Sequence, residues 1–203
     1  MKGLLLKDFY MTIKYCRAYI FIIVVFLLLS FFGDGMTPFM FFYPAILAGM
    51  VPVALIAYEE RCKWTVYSET FPLSRTQAVS CKYFVSLIGI GFVIVLSGIV
   101  QAIRVFRGVM EMAEYAKLMF SLIAVTLVVP SLVLPLIFKL GSEKGRIAYF
   151  IVVGVTCAVT VMTTFEGTFS LPDVAMPIVV VVSVVVFALS WLLSIKFYKA
   201  REL

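Results

Sequence analysis

The chain contains no histidine. That removes histidine zinc ligands, haem-type ligation and any triad or proton relay that turns on an imidazole. Charge is also scarce, at 14% of residues, where a soluble domain carries about 25%. Four cysteines, Cys16, Cys62, Cys81 and Cys157, show no CxxC spacing and read as small apolar fillers. There is no GxxxxGK[ST] phosphate loop, so the chain hydrolyses no nucleotide by that route. Ionisable groups are nearly absent from the long apolar runs, with Lys117 and Glu166 only at their ends. An ion-coupled carrier needs titrating groups near the midplane. An intramembrane hydrolase needs a nucleophile with a base, or paired carboxylates. Ser30, Ser86, Ser97, Ser121, Ser131, Ser183 and Ser190 have no histidine or lysine at matching depth; such serines usually pack or bond their own backbone. The expectation is a chain that is no enzyme by itself, with no metal site and no ion coupling.

What is present is hydrocarbon. Of 203 residues 64% are hydrophobic, with a mean hydropathy of +1.13, which describes one integral membrane domain. Six apolar spans are expected, at residues 18–32, 39–58, 83–103, 115–138, 147–165 and 174–195. Gly33-Asp34-Gly35 and Gly141-Ser142 supply turn chemistry between them. Residues 1–17 lack the apolar stretch and cleavage site of a signal peptide. Instead Leu6, Phe9, Ile13 and Cys16 share one helical face, while Lys7, Lys14 and Arg17 share another. That is a basic amphipathic helix lying on the inner leaflet of a lipid membrane.

Lysine and arginine set the orientation. With the N-terminus inside, Lys2, Lys7, Lys14, Arg17, Arg61, Lys63, Arg75, Lys82, Lys139, Lys144, Arg146, Lys196, Lys199 and Arg201 all fall on the cytoplasmic side. Only Arg104, Arg107 and Lys117 remain outside. The positive-inside rule then gives a multi-pass plasma-membrane protein with both termini cytoplasmic. The net charge of +6 needs no nucleic acid to explain it.

The longest polar island runs from Glu59 to Arg75. As a helix over 59–71 it places Trp64, Tyr67 and Phe71 on one face, and Glu59, Glu60, Arg61, Lys63 and Glu69 carry its charge. Pro72 closes it, because proline cannot donate an N–H and displaces the preceding residue from helical geometry. Such a two-faced segment between spans either pins them together or gives another protein something to push. Elsewhere Ala45/Gly49, Gly154/Ala158 and Ser190/Ser194 are small-residue pairs that let helices approach. Pro130 and Pro135 loosen the fourth span and mark a candidate hinge. The segment 165–172 reads as an external turn, or as a re-entrant gate.

Three stretches resemble the small permease subunits of ABC-2 type exporters, especially those of Gram-positive bacteria. They are the opening Met1 to Phe9, the acidic and aromatic segment Glu60 to Tyr67, and Phe71-Pro72-Leu73-Ser74-Arg75 followed by Lys82-Tyr83. The last is similar to a "P-[IL]-S-R … K-Y" signature through Pro72, Ser74, Arg75, Lys82 and Tyr83. The resemblance implies an all-α, six-helix transmembrane domain with residues 1–17 as an elbow helix and 59–71 as a coupling helix. It implies a cytosolic ABC ATPase as partner, carrying ATP and Mg, and a second permease copy or a sister permease. The cargo it suggests is amphipathic or hydrophobic: a peptide toxin, a bacteriocin or a drug. The rival expectations are a non-transporting membrane protein (an immunity factor, scaffold or regulatory subunit) and an ATP-independent carrier or channel.

Overall fold

The computed structural model describes residues 2–32, 39–68, 74–108, 111–165 and 175–200. Among these the chain is entirely helical: α1 (Lys2–Tyr15), α2 (Arg17–Phe32), α3 (Phe39–Arg61), α4 (Trp64–Ser68), α5 (Arg75–Phe106), α6 (Met112–Leu140), α7 (Ser142–Phe165) and α8 (Ala175–Ala200). The turn at Gly33-Asp34-Gly35, the residues Glu69, Phe71 and Pro72, and most of the 165–172 segment lie outside the described residues.

Four of the described helices are long and apolar enough to cross a membrane: α3, α5, α6 and α8. The pair α1 and α2, bent by 67° at Cys16, makes a fifth if it forms one span. At 16 residues, α2 rises roughly 24 Å, short of a hydrocarbon core of about 30 Å. The helices overrun the apolar runs because polar residues continue them. The clearest case is α5, which starts at Arg75 rather than near Tyr83. Ser74 accepts from the Gln77 amide while the Gln77 side chain accepts from the Ser74 amide, a reciprocal cap that fixes the helix start.

α6 is the central helix. Its Leu127, Val129, Val133, Leu134, Ile137 and Phe138 form one buried cluster with Ile46, Val53 and Ile56 of α3, Val79, Tyr83 and Ile90 of α5, Tyr149 of α7, and Phe187 and Tyr198 of α8. It stays helical through Pro130 and Pro135. α3 also contains two prolines, Pro44 and Pro52. Gly49 meets α6 closely: a Cβ there would lie 3.1 Å from Val129 Cγ1. Tyr149 donates to the Ile46 carbonyl at 2.9 Å and ties α7 to α3. The Ala45/Gly49 pair therefore serves contacts inside the bundle, whereas Gly154 has open space around it and Ala158 is exposed.

The turn between α6 and α7 is tight. Gly141 has φ +84°, a left-handed conformation that favours glycine at a helix C-terminus. Four residues on, a Cβ at Gly145 would fall 2.5 Å from Ile137 Cγ1 and 3.1 Å from Ile137 Cα. The nearby main-chain atom cannot rotate away, so Gly145→Ala must push α7 off α6. Overpacking of this kind costs about 1–3 kcal/mol. Thermal unfolding of the purified variant is expected to show that loss, and an unchanged midpoint would mean the hairpin is looser than described.

Candidate functional site

The site lies where α1, α3, α4 and α5 meet. Each of three helices brings charge into it: Lys7 and Asp8 from α1, Glu59 from the last turn of α3, and Lys82 from the second turn of α5. Lys82 Nζ donates to Asp8 Oδ2 at 2.8 Å and to Glu59 Oε1 at 2.7 Å. Lys7 Nζ bonds the same Glu59 oxygen and stands 3.3 Å from Asp8 Oδ1. Asp8, Lys82 and Glu59 are 1%, 5% and 7% exposed. Two cations and two carboxylates make a neutral set, which makes its burial tolerable. The attraction between buried charges offsets their desolvation best when hydrogen bonds are also complete; here Asp8 Oδ1 has the Lys7 ion pair but no hydrogen bond among the described residues.

α4 sits against this cluster. Trp64 has the Lys7 ammonium 4.4 Å from its ring centroid, a cation–π contact, and its ring is 5.7 Å from that of Tyr67. Lys7 thus bonds Glu59 and faces Trp64 at once. Trp64, Ser68, Ser74 and Arg75 line, with the four charged residues and the apolar Leu4 and Ala78, a small cavity of about 50 Å³.

The island expected to be one helix over 59–71 is two. Glu59, Glu60 and Arg61 belong to the end of α3, and Lys63, at φ +52°, turns the chain before α4 begins. A lysine in that region is uncommon, and no residue type in the island signals the break. Glu59 accordingly points into the charge cluster and is not presented at the surface. Arg61, Lys63 and Tyr67 are exposed, and Glu60 and Trp64 are half-buried.

The residues that end the island, and Tyr83 beyond it, have structural anchors. Ser74 caps α5, and Arg75 Nη1 donates to the Lys199 carbonyl at the end of α8, at 3.3 Å. Tyr83 shares hydrogen bonds with Ser190 Oγ at 2.8 Å and Ser194 Oγ at 2.7 Å, and it stacks on Trp191 with the rings 6° apart. The Ser190/Ser194 pair is therefore a polar clamp between α5 and α8. From sequence, Lys7 falls on a basic face toward lipid and Asp8 has no role, whereas both join the charge cluster. The signal was there: Asp8 is the sole acidic residue before Asp34, and Lys82 is the sole charge between Arg75 and Arg104. Lone charges in apolar surroundings need partners.

Membrane-capable helices packed around α6, with a charge-locked junction at one end, define a multi-pass helical protein of the plasma membrane. The family model described as "ABC-2 family transporter protein" matches residues 3–199, and the chain belongs to that family. No curated protein matches it. Membership makes the chain the permease component of an ABC transporter, a membrane transport part that is not itself catalytic and works with an ABC ATPase.

Proposed function

We propose that the chain is one permease half of an ATP-driven exporter for amphipathic or hydrophobic cargo, paired with a second copy or a sister permease. The observation that carries this reading is the contact between α4 and the buried charge cluster. An ATPase seated on the exposed residues around α4, Lys63 and Tyr67 among them, would move Trp64. Trp64 bears on Lys7, and Lys7 is bonded to Glu59, which Lys82 holds together with Asp8. A displacement of α4 is then shared by α1, α3 and α5 without any of them unfolding. Energy comes from ATP and Mg on the partner.

In this reading α2, α3, α5, α6, α7 and α8 are the six spans, α1 is the elbow helix, and both termini are cytoplasmic. The basic residues around the charge cluster support that orientation through the positive-inside rule. Pro130 and Pro135 supply the hinge in α6, where each removes one backbone donor. The scarcity of charge in the spans suits apolar cargo.

The test is purification from the native membrane in mild detergent with partners identified by mass. A stoichiometric ABC ATPase together with two permease chains is the expected outcome. Recovery of this chain alone, or only with itself, would remove the ATP-driven reading in favour of a scaffold or immunity role.

A further inference from the structure

Four buried polar side chains of α2 and α5 have no hydrogen-bond partner among the described residues: Ser30, Ser86, Ser97 and Gln101. Gln101 lacks one for both its amide nitrogen and its amide oxygen, and with Ser97 and Ser30 it lies beyond Val93 and Ile23, while Ser86 lies nearer the charge cluster. Ser30, Ser97 and Gln101 are each 0% exposed. Other serines in the bundle do find partners: Ser121, Ser131 and Ser183 donate to their own helix carbonyls. An unpartnered buried amide carries its full desolvation penalty, and hydrocarbon offers no water to relieve it.

The trio lies on a continuous line from a groove. Ile23 of α2, Ala48 of α3 and Val93 of α5 line an apolar groove of about 570 Å³, bordered by Leu6, Phe9 and Ile13 of α1 and open at the surface, where those three side chains are exposed. One turn further from the charge cluster, Leu27 and Ala45 pack with Ile23, Ala48 and Val93 and separate the groove from the trio. Ser97 and Gln101 follow Val93 at one and two turns on the same face of α5, and Ser30 follows Ile23 at two turns on α2.

We propose that this seam binds the amphipathic peptide that the transporter moves, a reading that rests on the exporter function above. The groove takes apolar side chains. Gln101, with Ser97 one turn before it on α5 and Ser30 at a similar distance along α2, takes a peptide group when Leu27 and Ala45 part. A glutamine amide offers one acceptor and two donors, which matches the C=O and N–H of a peptide unit. A phospholipid tail fits the groove but leaves the amide unsatisfied, and no cation lines the groove to hold a phosphate.

The test uses the whole chain in phosphatidylcholine nanodiscs, with fluorescent melittin as the probe and empty discs as the blank. Gln101→Leu is expected to weaken binding by about tenfold or more while raising the unfolding midpoint by about 3 °C, because the orphaned amide is gone. Gly89→Leu places a side chain in the groove from a position with open space around it, and is expected to weaken binding with no loss of stability. Three results each overturn the proposal: no melittin binding to the wild type, Gln101→Leu binding as wild type does, or a lowered midpoint showing Gln101 already paired. A co-purified phospholipid that melittin does not displace from the groove overturns it as well. No ATPase is present, so this assay and the co-purification succeed or fail independently.

Discussion

Lys82→Met is expected to destabilise the chain by about 3–5 kcal/mol, which for a domain of this size lowers the unfolding midpoint by roughly 10 °C. The magnitude follows from what remains. Without Lys82, Asp8 and Glu59 stay buried with Lys7 as their one cation, and the neutral set becomes a net negative charge in a site that is nearly closed to water. Removing one partner of a buried pair costs far more than the intact pair contributes, because the desolvated survivor loses its compensation. Lys196→Met is the comparison: Lys196 is exposed, and a surface change should stay within about 0.5 kcal/mol. A second variant separates charge from shape. Glu59→Gln combined with Lys82→Met removes one charge of each sign and is expected to recover part of the loss. Circular dichroism of the purified chain during heating reads all three. A Lys82→Met shift below about 2 °C would mean the cluster is hydrated and locks nothing.

The apolar segments were legible because the signal is compositional: a helix in hydrocarbon must be apolar over most of its length. The ends were less so. α5 begins at Arg75 because Ser74 and Gln77 cap each other, a short S-x-x-Q pattern that was readable but is overshadowed by the polar stretch before it. The break after α3 was not readable, since it turns on a left-handed lysine. A two-faced wheel drawn through Glu59 and Phe71 assumes continuity that the backbone does not have. The charge cluster was half legible. Lys82 is the one charge between Arg75 and Arg104, and Asp8 the one acid before Asp34, which demands partners, whereas Glu59 is hidden among the charges of the polar island. Their separations of 74 and 23 residues leave the choice of partner to the packing of α1, α3 and α5. The Tyr83 clamp has the same character: Ser190 and Ser194 give the close approach, while only the fold brings Tyr83 to them.

Glu60→Arg combined with Tyr67→Ala is expected to reduce recovery of the ATPase by about tenfold or more while leaving the unfolding midpoint within about 2 °C of wild type. Glu60 directly follows Glu59, but the two residues differ in kind. Glu59 is held inside by Lys7 and Lys82, whereas Glu60 is half-buried and Tyr67 is 57% exposed. A docking surface built around α4 would use the accessible pair and leave the inner one to transmit. Reversing a charge at an interface adds repulsion to the lost attraction, and removing an exposed aromatic deletes an anchor of the kind that dominates binding energy. Glu59→Gln is expected to behave oppositely, with a lowered midpoint and ATPase recovery that falls only as folded protein is lost. Recovery unchanged in the double variant would remove α4 from the docking surface. A midpoint that fell as far as that of Lys82→Met would show that Glu60 and Tyr67 belong to the structural lock. Co-purification and thermal unfolding, measured on the same preparations, therefore separate the residues that an ATPase touches from those that carry its motion inward.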